Sequence, residues 1–154
     1  MKYILGFLLV CISLLSCTTN DTGETSKIDY LIFGRFYGMC IGKSCVTNYK
    51  LTNSTLFADT NNDYSHTAFN FVALDADKFG QVNDLMDFFP SKLLNEKETV
   101  LGCPDCYDQG GVFIQISKNG VVKSWRIDTN KNDVPAYLHS FMDKVNEKMA
   151  LLSK

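Results

Sequence analysis

Short blocks of apolar residues occupy the middle of this chain, and helical spacing takes over near its end. Ile28-Asp-Tyr-Leu-Ile-Phe-Gly-Arg-Phe-Tyr37 is dense in β-branched and aromatic residues and runs into Gly38, which predicts a first strand over 28–37. Ser44–Leu51 and Thr55–Ala58, parted by the turn-forming pair Asn53-Ser54, predict a second and a third. A polar loop over 59–66 follows, then Phe69–Leu74, which reads as a further short strand. From Asp77 to Asn95 the residues Phe79, Val82, Leu85, Met86 and Phe89 recur at helical spacing. Gly80 weakens that helix, and Pro90 should break it or start another. Val112–Ser117 and Val121–Ile127 flank Lys118-Asn119-Gly120, and Asn-Gly between two such runs predicts a tight hairpin because both residues tolerate positive φ. Asp133 and Pro135 suit a helix start, after which Leu138, Phe141, Met142, Val145, Met149 and Leu152 fall on one stripe.

This order predicts an α+β domain: an antiparallel sheet of about five strands, with a central helical segment and a C-terminal amphipathic helix packed on it. The full chain of 154 residues is long enough for one domain with a real core. Fifteen basic against 17 acidic residues give a net charge of −2, and nothing basic clusters. Nucleic acid and anionic lipid surfaces are therefore poor partners.

The first residues change the picture. Lys2 precedes an apolar run from Tyr3 to Leu15, with the small residue Ser16 at its end, the layout of a secretory signal peptide. The run is shorter than the roughly 20 residues a membrane-spanning helix needs. Leu14-Leu15-Ser16-Cys17 resembles the bacterial lipobox. That resemblance implies cleavage before Cys17, attachment of acyl chains such as palmitate there, and anchoring in a membrane. Residues 1–16 then form a lipoprotein signal peptide, and 17–27 a flexible lipid-anchored tether with no apolar residue from Thr18 to Lys27. Residues 28–154 form the single globular domain. Thr18, where an aspartate would imply retention at the inner membrane, favours the outer membrane of a diderm cell.

An exported chain meets oxidising conditions, so Cys40, Cys45, Cys103 and Cys106 are disulfide candidates. Long-range links would stabilise more in the loop-entropy model, roughly 4 against 2 kcal/mol each. The spacing favours the local pairs 40–45 and 103–106, since each pair sits within a turn. Cys103-Pro-Asp-Cys106 also has the length of a redox motif, but a strand follows where a helix dipole should lower the thiol pKa. A four-thiolate zinc site is the other rival, although no glycine soon follows Cys106 as in a zinc knuckle. On the disulfide reading Asp105 and Asp108 cap backbone N–H groups of the turn, and Gly110 and Gly111 supply backbone angles other residues resist. The functional reading makes Asp105, Asp108 and Gln109 a ligand-binding rim.

Other chemistry finds little support. Asp59–Asp63 and Asp128–Asn132 begin like calcium loops, yet both lack glycine at the sixth position and glutamate at the twelfth. These read as solvated loops. His66 and His139 have no sequence partner that suggests a metal or a triad, and no motif asks for a cofactor. Aromatic residues are plentiful, and Tyr30, Tyr37, Tyr49, Tyr64 and Tyr107 would make a protein- or glycan-binding surface if several shared an exposed face.

The lipobox, the Cys103–Gly111 stretch, Trp125-Arg-Ile-Asp128 and the helix opening at Pro135 together resemble small envelope lipoproteins of diderm bacteria. The resemblance implies an address and no activity. The expectation is a non-enzymatic binding or structural domain held at the membrane through lipidated Cys17, its partner another envelope protein or a glycan. A thiol-disulfide protein using Cys103 and Cys106, or a periplasmic inhibitor or immunity-type protein, are the alternatives.

Overall fold

The computed structural model describes residues 27–154. The expected signal peptide, the expected lipid attachment at Cys17 and all of the expected tether but Lys27 lie outside the described residues.

The described residues build one mixed sheet of seven strands: β1 (Ile28–Phe36), β2 (Val46–Thr52), β3 (Leu56–Asp59), β4 (Phe71–Ala73), β5 (Val100–Leu101), β6 (Gly111–Lys118) and β7 (Val121–Asp128). Their order is β4-β3-β2-β1-β6-β7-β5, and every pairing is antiparallel except the short parallel contact of β5 with β7. The sheet thus exceeds the five strands expected. The main addition, β5, is two residues long and has no periodicity to read. Asn119 and Gly120 both adopt positive φ, 53° and 76°, in the two-residue turn joining β6 to β7.

The α-helices are α1 (Ala76–Val82) and α2 (His139–Leu152). The helix expected over 77–95 does not continue. It stops at Asn83, and two 3₁₀ turns, Leu85–Phe88 and Ser91–Asn95, take its place, the second entered through Pro90. Gly80, Asn83 and Asp84 are weak helix formers, and Pro90 lacks the N–H a continuing helix would need. The apolar spacing still serves packing, because Val82, Leu85 and Leu93 are fully buried. Phe141, Met142, Val145, Met149 and Leu152 of α2 are buried with them against Leu31, Phe33, Ile114, Trp125 and Ile127 of the sheet. Each such side chain contributes roughly 1.5–3 kcal/mol when removed from water.

The second face of the sheet is also covered. Ile32, Phe36, Val46 and Phe113 form a smaller core, closed by Phe69 from the β3–β4 connection and by Phe71 at the start of β4. This explains why Tyr30-Leu-Ile-Phe33 is a continuous apolar run: both faces of β1 are buried. Among the described residues no helix is long and apolar enough to cross a membrane.

Candidate functional site

The structure pairs Cys40 with Cys45 and Cys103 with Cys106, with Cα atoms 5.4 and 5.6 Å apart. Each disulfide closes one loop at the end of the sheet where β1 finishes. Gly42 and Cys45 are bridged by a backbone hydrogen bond of 3.2 Å, and the Tyr37 N–H donates to Cys45 O at 2.9 Å, which shuts the β1–β2 loop. The thiols are used in these two bonds and not gathered into one four-thiolate site. The Cys103–Cys106 turn leads into β6 with no helix starting at either cysteine, so no helix dipole acts on these sulfurs.

Asp105 joins the two disulfide loops. Its Oδ2 accepts from Gly38 N (2.6 Å) and from the Tyr64 hydroxyl (2.8 Å), and its Oδ1 accepts from Gly110 N (3.0 Å). One carboxylate thereby ties the β1–β2, β3–β4 and β5–β6 loops together. Gly38 leaves no room for a Cβ beside the Asp105 carboxylate. Gly110 sits at φ +72°, with Tyr37 and the Phe36 carbonyl where a side chain would go. Gly111 needs no unusual φ. It is glycine because the Phe36 ring fills the space a Cβ would take, which corrects the expectation that backbone angle sets it.

The proposed rim residues have different roles. The Gln109 side chain accepts from Tyr107 N (2.7 Å) and donates to Cys103 O (2.9 Å) and to Asp128 (3.3 Å). Asp128 also accepts from Cys103 N and Asn130 N, both at 2.8 Å. Burial works to raise the pKa of Asp128, but these donors outweigh it and hold the carboxyl below its ordinary value. Asp105 and Gln109 are therefore bound up inside the loop. Asp108, at φ +60°, is exposed and makes no hydrogen bond among the described residues, so it does not cap the turn.

Beneath these loops lies a stacked cluster that the sequence did not announce. The Arg126 guanidinium sits 3.9 Å over the Phe36 ring and 4.6 Å from Tyr64, and Nη1 donates to Tyr64 O (2.9 Å) and His66 Nδ1 (3.2 Å). A guanidinium has no acceptor, so Nδ1 must accept and the imidazole proton resides on Nε2. His66 stacks on Phe113 at 3.9 Å. Burial, reinforced by the Arg126 charge, lowers its pKa to about 4 and leaves it neutral near pH 7. The polar loop carrying Tyr64 and His66 is not simply solvated. Asp63 accepts from the hydroxyls and N–H groups of Ser65 and Thr67, which holds its carboxyl well below the usual range. Asp59 is buried, and its oxygens accept from the N–H groups of Asn61, Asn62 and Asn70. With their carboxylates so committed, neither calcium-like loop gathers ligands. Among the described residues no three His, Cys, Asp or Glu side chains cluster as metal ligands do.

Of the five tyrosines, Tyr37, Tyr64 and Tyr107 come to this end of the sheet. Tyr30 hydrogen-bonds Gln115 under Lys50, and Tyr49 packs on Phe33 below the helices. His139 contacts the Val134 carbonyl at 3.3 Å. The most exposed large apolar side chains, Ile41 (101%), Tyr107 (87%) and Met39 (80%), all ride on the two disulfide loops, with Tyr64 (41%) beside them. Met39 and Ile41 were missed because apolar residues in loops carry no period. Their position inside a short Cys–Cys loop was the available signal.

A cleft of about 540 Å³ lies at the other end of the sheet between Ile28, Phe79, Asn83 and Met86. Of its two carboxylates, Asp84 is paired with Lys148 at 2.6 Å. A comparison with known protein-family models and with curated proteins finds no match to this chain.

Proposed function

We propose that this protein is a lipid-anchored, non-enzymatic binding domain of a bacterial cell envelope, and that it engages its partner through the disulfide-braced end of the sheet. One observation carries the reading: the three most exposed large apolar side chains among the described residues, Ile41, Tyr107 and Met39, ride on loops that two disulfides and Asp105 hold in place. A monomer gains nothing from holding Ile41, Met39 and Tyr107 in water, whereas a binding surface does. Bracing removes conformational freedom before binding and so lowers the entropy lost in the complex. The anchor rests on Leu14-Leu15-Ser16-Cys17, and β1 starts just past the tether. The braced end is therefore the far end of β1, about 27 Å from the point where the tether enters.

A thiol-disulfide enzyme is the rival that one observation favours, since Cys103 and Cys106 are both exposed to attacking thiolates. Chemical crosslinking in intact cells, followed by purification of the anchored protein, separates the two. The binding reading gives one stable partner that persists in Cys103→Ser. Many clients held as mixed disulfides and lost in Cys103→Ser would overturn it. An inhibitor or immunity-type protein is a special case of the first outcome, in which the captured partner loses an activity on binding.

A further inference from the structure

Resting on the binding reading above, the geometry points to the class of partner: a protein with an apolar socket and a basic rim, not a glycan and not a lipid surface. The first ground is the chemistry of the protruding groups. Ile41 and Met39 are aliphatic and offer no hydrogen bond, and they flank Cys40 at the tip of the β1–β2 loop. A sugar buried against them would lose water from its hydroxyls without receiving a partner in return. An apolar socket in a protein has no such hydroxyls to strand.

Charge is the second ground. In sequence, the loops over 37–45, 60–70 and 102–110 carry Asp63, Asp105 and Asp108 against the single basic residue Lys43. Arg126 lies below them, stacked on Phe36 and Tyr64 and bonded to Tyr64 and His66. Counted with Arg126, three carboxylates stand against two basic residues, so the braced end is net acidic by one charge, and Asp108 beside Tyr107 is the exposed carboxylate of the three. Anionic lipid headgroups would repel it, and apolar insertion without basic flanks is not how a surface loop holds to such a membrane. A basic rim around an apolar socket complements it.

The third ground is order. The backbone under Ile41 is fixed by the Cys40–Cys45 disulfide, the Tyr37–Cys45 and Cys45–Gly42 hydrogen bonds, and the Gly38–Asp105 bond. A branched isoleucine loses little rotamer freedom on burial. A fully exposed Ile41 on a fixed loop is therefore the anchor, and its burial is worth on the order of 10- to 100-fold in affinity.

The test is site-specific photo-crosslinking of the full-length protein in its own cells, with a photoreactive phenylalanine at position 41, 107, 53 or 122. Positions 53 and 122 are exposed and lie away from the braced loops. The expected result is one protein adduct of discrete mass from 41 and 107 and none from 53 or 122. Ile41→Asp, and separately Met39→Asp, should cut the adduct from 107 about tenfold or more, and Asp108→Lys should weaken it as well. A periodate-sensitive glycan adduct or a lipid adduct at 41 and 107 would overturn the inference. So would protein adducts from 53 or 122 alone, although the binding reading would then stand. No adduct at any position would remove both. Resistance of each variant to thiol alkylation shows that its loops remain closed.

Discussion

Replacing Asp105 with alanine isolates the device that holds the three loops together. The substitution removes the bonds from Gly38 N, Gly110 N and the Tyr64 hydroxyl at once. Hydrogen bonds to charged groups contribute roughly 1.5–3 kcal/mol each, and neutral ones about 1. Two of these three are solvent-exposed, so water recovers part of the loss, and about 1 kcal/mol per bond is the appropriate scale. Asp105 also sits at φ +65°, which alanine tolerates less well. Together these effects come to about 3 kcal/mol, or roughly 10 °C in Tm for a domain of this size. Asp105→Asn keeps one acceptor oxygen and the tolerance for positive φ, so it should lose about half as much. Thermal unfolding followed by circular dichroism reads the global effect. Hydrogen exchange at the Gly38 and Gly110 amides reads the local one, and both amides should exchange at least tenfold faster in Asp105→Ala. A variant that unfolds within about 2 °C of wild type, with both amides still protected, would show that Asp105 does not brace these loops.

Three further outcomes follow from the same structure. Gly120→Val places a β-branched residue at φ +76° where open space surrounds the Cβ, so the loss is purely conformational; Tm should fall by several degrees, about 1–2 kcal/mol, and an unchanged Tm would contradict the two-residue turn. The pKa of His66 is lowered to about 4 on folding, so the unfolded chain takes up that proton first, near pH 6.5, and stability falls as pH drops from about 6.5 to 4. Urea titrations across that range should show His66→Asn, which tolerates the positive φ of this position, losing less than wild type; equal slopes would mean His66 is not buried neutral. Finally, alkylation of the native protein without reductant should leave Cys40, Cys45, Cys103 and Cys106 unmodified in mass spectrometry, whereas adducts on Cys103 and Cys106 alone would favour the thiol-disulfide reading.

Local chemistry was the legible part of this sequence. The Asn119-Gly120 hairpin, the buried stripe of α2 and the closeness of each cysteine pair depend on neighbours in the chain, so residue types and spacing reveal them. The sheet outgrew its reading because Val100 and Leu101 join it through a pairing with Arg126 and Ile127 that no pattern encodes. The 60–70 connection looked solvated because it is polar. In the structure Asp59 and Asp63 gather its N–H groups inward, which lets Phe69 and His66 close over the second face. The meeting of Asp105 with Gly38 and Tyr64 spans 67 and 41 residues, and the stack of Arg126 on Phe36 and Tyr64 is equally remote. Such contacts emerge only when the sheet brings three loops to one end. Asp105, Gln109 and Tyr107 could be named in advance as interesting, but only the fold separates the residues that brace from those that face outward.

The most direct test is the affinity of the captured partner for the full-length protein with and without Ile41. Ile41 touches nothing that holds the fold, so Ile41→Asp should leave Tm within about 1 °C of wild type. If the braced end is the binding surface, the dissociation constant should rise about 30-fold or more, equivalent to about 2 kcal/mol at an interface anchor. A partner that binds Ile41→Asp and wild type equally tightly would contradict the account.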